Sequence, residues 1–429
     1  MNTTRALGVV VSMVLPSVAA GQDIGWDELI SSHRATHSLV AARQHSRELS
    51  QGQGHQLWED VELRYSAKRA DLRKQEVGLR ISPSGFGEIG ANRSLWAARR
   101  RLGEAKVDQK LSEALFERYS LALAWRYQQR QRVYHLGMES VNEDRIRVLA
   151  GRSATEDFDP EDLVEAQLKR TEYRSKAEGD LYKMAQAERK MRQYIPGAGV
   201  VRLDGPLLSP AEIAVILDGI DPSRADSFPA VRVVAGELAL EQAKTDQEVA
   251  SSRRWLGYLE ASYTMDVDEN RLEAQTQRDN IAFGCGFKIP IMDGSSQDVA
   301  RRKAELAEVR MEYIDERQDV ERKVSELRLS IGSMLRQIAV LDSFSQRVDA
   351  GKVFTDFAIK SGSDPLLLLK ARETAIQNSW DIDYMHFEIL VQYLEILDLS
   401  GKFVQEPDAN HLLMRKPPVS IGRVPQGQS

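Results

Sequence analysis

The stretch Asn280–Ala304, NIAFGCGFKIPIMDGSSQDVARRKA, decides how the rest of the chain is read. Its first half alternates, with Ile281, Phe283, Cys285, Phe287 and Ile289 separated by Ala282, Gly284, Gly286 and Lys288. A period of two puts the bulky apolar residues on one face of a strand and the small or polar ones on the other. Pro290 ends the ladder because proline has no N–H to donate. Met292-Asp293-Gly294 reads as a turn, and Ser295 with Asp298 has capping-box spacing for a helix that follows.

That helix is expected to run from about Gln297 to Lys360, with Val320, Val324, Leu327, Ile331, Met334, Ile338 and Leu341 in strict four-three spacing. At 1.5 Å per residue it would be roughly 95 Å long. Ser361-Gly-Ser-Asp-Pro365 turns the chain, and a return helix continues to about Ser400 with Ile376, Trp380, Asp383, Phe387, Leu390, Leu394 and Leu397 in the same rhythm. Upstream of the opening strand lie the polar loop Asp268–Asp279 and a second alternating run, Leu256–Val267. In that run Leu259, Ala261, Tyr263, Met265 and Val267 alternate with Glu260, Ser262, Thr264 and Asp266. A helix over Ala230–Arg254 precedes it.

The first half of the chain follows the same plan. Asp23–Ser50 reads as one lead-in helix, broken by the glycines of Gln51–Gln56. Two alternating runs follow at about 58–68 and 75–82, with Val61, Leu63, Tyr65, Val77, Leu79 and Ile81 against Glu62, Arg64, Glu76 and Arg80. Helices are expected at about 92–150 and 161–195, the second with a seam of Ala177, Leu181, Met184, Glu188, Met191 and Ile195. The first repeat therefore occupies 21–195 and the second 230–400, with strands at about 256–267 and 280–290 and helices at about 297–360 and 366–400. The segment 196–229, rich in proline and glycine, reads as an inter-repeat linker, and 401–429 as a flexible tail. The offset between repeats, roughly 200 residues, is far longer than the 20–50 of solenoid arrays.

Composition agrees with this picture and narrows the function. The chain has 429 residues, 42% of them hydrophobic and 28% charged, and a mean hydropathy of -0.41, which suits long helices with solvated faces. A net charge of -6 gives no reason to expect nucleic acid. Residues 1–20 read as a secretory signal, with Arg5, an apolar Ala6–Leu15 and small residues ending at Ala20. No later run approaches the roughly 18 apolar residues of a spanning helix, so any membrane crossing must use strands in a closed barrel. Four strands of about 10 residues suit a tilted bilayer crossing, yet the smallest membrane barrels have about 8 strands, so the chain would have to oligomerise. The alternative is a soluble periplasmic coiled-coil adaptor or scaffold capped by two hairpins. The signal, the absence of spanning helices and the duplication favour the barrel.

The residues also carry a resemblance. Asn280–Gly294 is similar to the strand that ends in Pro-x-x-Asp-Gly before a helix in the TolC-like outer-membrane efflux protein family. Gly362–Ala371 and Asp162-Leu-Val-Glu-Ala166 resemble that family's periplasmic helical turns in the two repeats. The resemblance implies a mainly α chain with a membrane β-barrel portion, assembled as a homotrimer. Its 12-stranded β-barrel, within the range of about 8 to 26 for such barrels, would stand on an α-helical periplasmic tunnel. It further implies a passive exit duct in an outer membrane of the Gram-negative type, partnered by a periplasmic adaptor and an inner-membrane transporter. Two departures stand out. Members often carry acidic residues in the second-repeat turn, where this chain has Leu367 and Lys370, while its acidic pair, Asp162 and Glu165, lies in the first repeat. Pro83-Ser-Gly also stands where Pro-x-x-Asp-Gly is expected.

No catalytic constellation emerges, and no enzyme activity or cofactor is expected. His33 and His37 have i,i+4 spacing but lack a third ligand, so a solvated helix face is the better reading. Asp266, Asp268 and Asn270 imitate the start of a calcium loop, but Arg271 stands where that loop needs glycine. Gly284-Cys-Gly286 is followed by no Gly-Lys-Ser/Thr, and Cys285 is the only cysteine, which excludes an intrachain disulfide. The candidate functional residues are the polar strand faces as a barrel lumen, namely Glu62, Arg64, Glu76, Arg80, Glu260, Ser262, Thr264 and Lys288. From the resemblance come Asp162, Glu165, Asp364, Leu367 and Lys370 as a periplasmic tip or aperture.

Overall fold

A computed structural model describes residues 23–51, 58–67, 74–85, 87–153, 158–253, 256–266, 278–287, 295–347 and 365–413. The alternating runs form one antiparallel sheet in the order β1 (Trp58–Ala67), β2 (Lys74–Pro83), β3 (Leu256–Asp266) and β4 (Arg278–Phe287). Each repeat supplies a hairpin, and β2 pairs with β3 from Lys74↔Asp266 to Ile81↔Leu259, so the duplication is joined inside the sheet. Trp58 and Pro83 are paired at the end of the sheet where Leu256 faces Phe287. Every helical connection therefore leaves the sheet from the same end. The expected signal segment, Pro290 and the turn before Ser295 lie outside the described residues.

Below that end the helices pack by repeat. α1 (Trp26–Ser31) and α2 (His37–Gln51) precede β1, and α3 (Glu88–Gly151) and α4 (Pro160–Tyr194) follow β2. α5 (Pro210–Asp218) and α6 (Pro229–Ser252) precede β3, and α7 (Ser295–Arg347), α8 (Pro365–Ser400) and the short α9 (Lys402–Gln405) follow β4. α3 lies against α2, α4, α6 and α8, and α7 lies against α6 and α8. With 64 residues, α3 is about 96 Å long at 1.5 Å per residue. It begins without the Pro-x-x-Asp-Gly pattern. Gly87, at φ 94, turns the chain, and the Gly85 N–H donates to the Glu88 carboxylate over 2.6 Å.

The four-three rhythm of α7 is kept, with Val320, Val324, Ile331 and Ile338 buried. In α4 the seam shifts. Ala177 and Met191 are buried as the spacing predicts, but Leu181 is exposed and Asp180 turns inward instead. A partner on α3 makes this stable, because His135 Nδ1 lies 2.6 Å from Asp180 Oδ2 and both side chains are buried. The other buried positions of α4, Ala166 and Ala187, are small and admit the close approach of α3.

Three expectations are corrected by packing. The lead-in helix is split by a 3₁₀ turn at Ser32–Ala35, because the buried guanidinium of Arg118 takes Ser32 Oγ at 2.8 Å, the Ser32 carbonyl at 3.2 Å and Thr36 Oγ1 at 2.8 Å. His33 is consequently buried, not solvated, with Nδ1 2.7 Å from the Ile30 carbonyl. The segment 196–229 is no loose linker. Its prolines open helices, Pro210 behind a Ser209/Glu212 capping box and Pro229 at the start of α6, while Leu203, Ile213, Leu217 and Phe228 enter the main core. Residues 401–413 are packed as well. Gly401, at φ 72, turns α8 into α9, Phe403 stacks on Tyr119 with centroids 5.2 Å apart, and Leu412 is fully buried. The apolar residues in these stretches lack a long period, which hides them from a search for helices and strands.

Candidate functional site: an amphipathic sheet and a helical tip

The register sorts every strand residue onto one of two faces, since partners in an antiparallel ladder point the same way. Glu62↔Arg80↔Glu260↔Gly284 form one cross-strand row, Arg64↔Gly78↔Ser262↔Ala282 the next, and Ser66↔Glu76↔Thr264↔Asn280 a third. Seven of the eight proposed lumen residues thus share one face, and Lys288 lies outside the described residues. On that face Arg64 donates to Glu62 over 2.7 Å, and the Arg80 guanidinium lies 3.5 Å from the centre of the Tyr258 ring.

Tyr258 explains Gly286 in β4. A Cβ on Gly286 would sit 2.2 Å from the Tyr258 ring, and one on Gly284 would meet the Glu260 Cβ at 3.8 Å. Gly286 therefore leaves room for the Tyr258 ring, whereas the contact at Gly284 is an ordinary one. Cys285, between the glycines, belongs to the other face and is exposed.

That other face carries Val61, Leu63, Tyr65, Val77, Leu79, Leu259, Ile281, Phe283 and Phe287, all exposed. Phe283 is 84% exposed, Leu63 76% and Ile281 67%. An exposed apolar sheet face of this kind marks an interaction surface, for protein or for membrane. The edges are open too. Among the described residues β1 and β4 each have a neighbour on one side only, leaving a row of backbone N–H and C=O groups for a further strand. β1 and β4 also run in opposite senses, the relation an antiparallel join between two such sheets requires.

At the far ends of the long helices, α3, α4 and α8 enclose a groove of about 650 Å³ that brings Asp162, Glu165 and Lys370 together. Leu367 is exposed beside it, and Asp364 lies outside the described residues. The Arg145 guanidinium donates to Glu373 over 2.6 Å and Arg372 to Asp144 over 2.9 Å, a double clasp between α3 and α8 that the sequence reading missed. Both pairs join residues 228 positions apart, and they meet only because the hairpins are docked. Lys169, 2.6 Å from Glu165, holds that carboxyl below its usual range. Among the described residues no group of three His, Cys, Asp or Glu side chains is placed to hold a metal, and no helix is long and apolar enough to cross a membrane.

No family model matches the chain, and no curated protein matches its sequence. Solved structures do match its fold. The chain superposes on CusC, from a study of transmembrane channel formation, with a TM-score of 0.61 at 13% identity, covering 89% of this chain and 95% of that one. For the outer membrane protein VceC of Vibrio cholerae the TM-score is 0.61 at 13% identity, over 87% and 95% of the two chains. For the open state of the Neisseria gonorrhoeae MtrE outer membrane channel it is 0.58 at 15% identity, over 90% and 93%. The fold is that of the TolC-like outer-membrane channels, a strand-bearing end on a long helical body.

Proposed function

We propose that the chain is an outer-membrane channel, the passive exit duct of a tripartite efflux or secretion system. Three copies join their four-stranded sheets edge to edge into a 12-stranded barrel, within the range of about 8 to 26 strands known for such barrels. The apolar faces then meet lipid, the polar faces line the lumen, and the helices extend into the periplasm as a tunnel. A periplasmic adaptor and an inner-membrane transporter supply the contacts at the helical tip and the free energy. The chain itself acts as a conduit and not as an enzyme.

The observation that carries this reading is the sheet, apolar and exposed on one face, charged on the other and open at both edges. In hydrocarbon each unpaired backbone group costs several kcal/mol, so only a closed barrel satisfies such edges. The polar row Glu62–Arg80–Glu260 requires that closure to enclose water. The likeness to solved outer-membrane channels supports the reading at the level of fold.

The test is envelope fractionation followed by unheated electrophoresis and planar-bilayer recording. The expected result is a membrane-bound, heat-labile trimer that conducts ions. A soluble monomer without conductance would overturn the proposal.

A further inference from the structure

Where the inter-repeat segment crosses α3 and α8, the fold encloses a cavity of about 270 Å³ with an unusual charge arrangement. Arg126 and Arg130, one turn apart on α3, both line it. Arg126 is half-buried, and among the described residues it donates to the Gly205 carbonyl alone, over 3.0 Å. Among the described residues neither guanidinium has a carboxylate within ion-pair distance. Burial and then the like charge of Arg130 push the Arg126 pKa down, against the pull of Asp204. A half-buried guanidinium without an ion-pair partner, beside a like charge, lowers stability and persists where something else compensates it.

Aromatic rings line the same cavity. The Tyr127 ring stacks on Phe387 with centroids 4.0 Å apart and lies 5.5 Å from Trp380. Asp383 also lines the cavity, and the His386 Nε2 is already engaged by the Leu208 carbonyl at 2.7 Å. We propose that this cavity binds a small organic monoanion with a flat apolar body, in its simplest form an aromatic carboxylate. The carboxylate meets Arg126 and Arg130 in the forked geometry guanidinium favours, and the ring lies against Tyr127 and Phe387. Asp383 repels a second negative group, which restricts the charge to one. The volume, just under the roughly 300–1,000 Å³ of drug-sized sites, suits one or two rings. Tyr127 is about 58 Å along α3 from its sheet end at 1.5 Å per residue, so the ligand comes from solution and not from lipid. The site itself stands apart from the channel proposal, which enters only in excluding lipid as the source and in choosing the oligomer for the test.

The test is calorimetry on the purified full-length oligomer with benzoate, 1-naphthoate and indole-3-carboxylate, each beside its neutral amide. At least one carboxylate should bind saturably. The matching amide, Arg126→Gln and Arg130→Gln should each weaken that binding by about tenfold or more, the worth of one charge-assisted contact. Arg130 is exposed, so Arg130→Gln keeps the test decisive should Arg126→Gln fail to fold. The proposal is overturned if none of the three carboxylates saturates, if the amide binds equally well, or if Arg130→Gln leaves affinity unchanged. It is overturned equally if the arginine variants break the oligomer instead, which would assign the pair to a contact between copies.

Discussion

Replacing Phe283 with lysine is the most discriminating single change. Phe283 is near the middle of β4, faces Ala261 across the ladder and is the most exposed of the described apolar sheet residues. The strand has 10 residues, about 33 Å at 3.3 Å per residue, and a barrel tilt of roughly 40° projects that to about 25 Å, the height of the apolar band in such barrels. Phe283 then sits near the bilayer midplane and Phe287, paired with Leu256 at the helical end, sits near the interface. Its place at the strand end makes Phe287 the weaker probe of the two. A lysine costs about 2–4 kcal/mol at the midplane and about 0–1 near the interface. At 1.4 kcal/mol per tenfold, Phe283→Lys should reduce the folding equilibrium into vesicles by about 30- to 1,000-fold and Phe287→Lys by no more than about fivefold. Urea-titrated insertion, read as the heat-labile oligomer on unheated gels, measures both. Glu260→Lys, on the polar face, is the control and should insert normally. Equal costs at Phe283 and Phe287, or a cost at Glu260 as large as at Phe283, would refute the assignment of faces.

Other outcomes follow from particular contacts. Gly286→Ala should disturb the Arg80–Tyr258 stack and change single-channel conductance, and adding Tyr258→Ala should restore assembly if the clash with the ring is the cause. Ile331→Ala, in the buried seam of α7, should cost about 2–5 kcal/mol in unfolding free energy, measured by denaturant titration. Burial raises the Asp398 pKa above its ordinary 3.8, against the hydrogen bond from Ser112 Oγ at 2.6 Å. The fold therefore loses stability as pH climbs from about that ordinary value through the raised one, since the unfolded chain solvates the charge better. Asp398→Asn should be more stable than the parent at neutral pH, with the difference vanishing in acid, as thermal unfolding across pH will show. Arg145→Gln combined with Arg372→Gln removes both clasps between α3 and α8 and should increase the open fraction in bilayer recordings, while Lys169→Gln, outside the clasp, should not.

Much of the sheet was legible in the sequence because a strand writes its faces with a period of two, and that period survives without knowledge of the partner. Leu63, Tyr65, Val77, Phe283 and Phe287 could be assigned to one face before any pairing was known. The seam of α7 was legible for the same kind of reason. Where a helix meets an irregular neighbour the reading failed. Leu181 was expected inside and Asp180 outside, but His135 on a distant stretch of chain reverses them. The split of the first helix depends on Arg118, and the order in 196–229 and 401–413 depends on a shared core that no local pattern shows.

The candidate sites divide along the same line. Sequence by itself determined the duplication, the amphipathic strands, the long helical hairpins and hence the kind of assembly they can enter, because each is a local periodicity enforced by backbone geometry. Only the tertiary structure decided that Glu62, Arg80 and Glu260 form one row, that Gly286 makes room for Tyr258, and that Arg145 meets Glu373. It alone placed Arg126, Arg130 and Trp380 around one cavity. Those relations join residues far apart in the chain, and they exist because packing the two repeats against each other fixes register and rotation together.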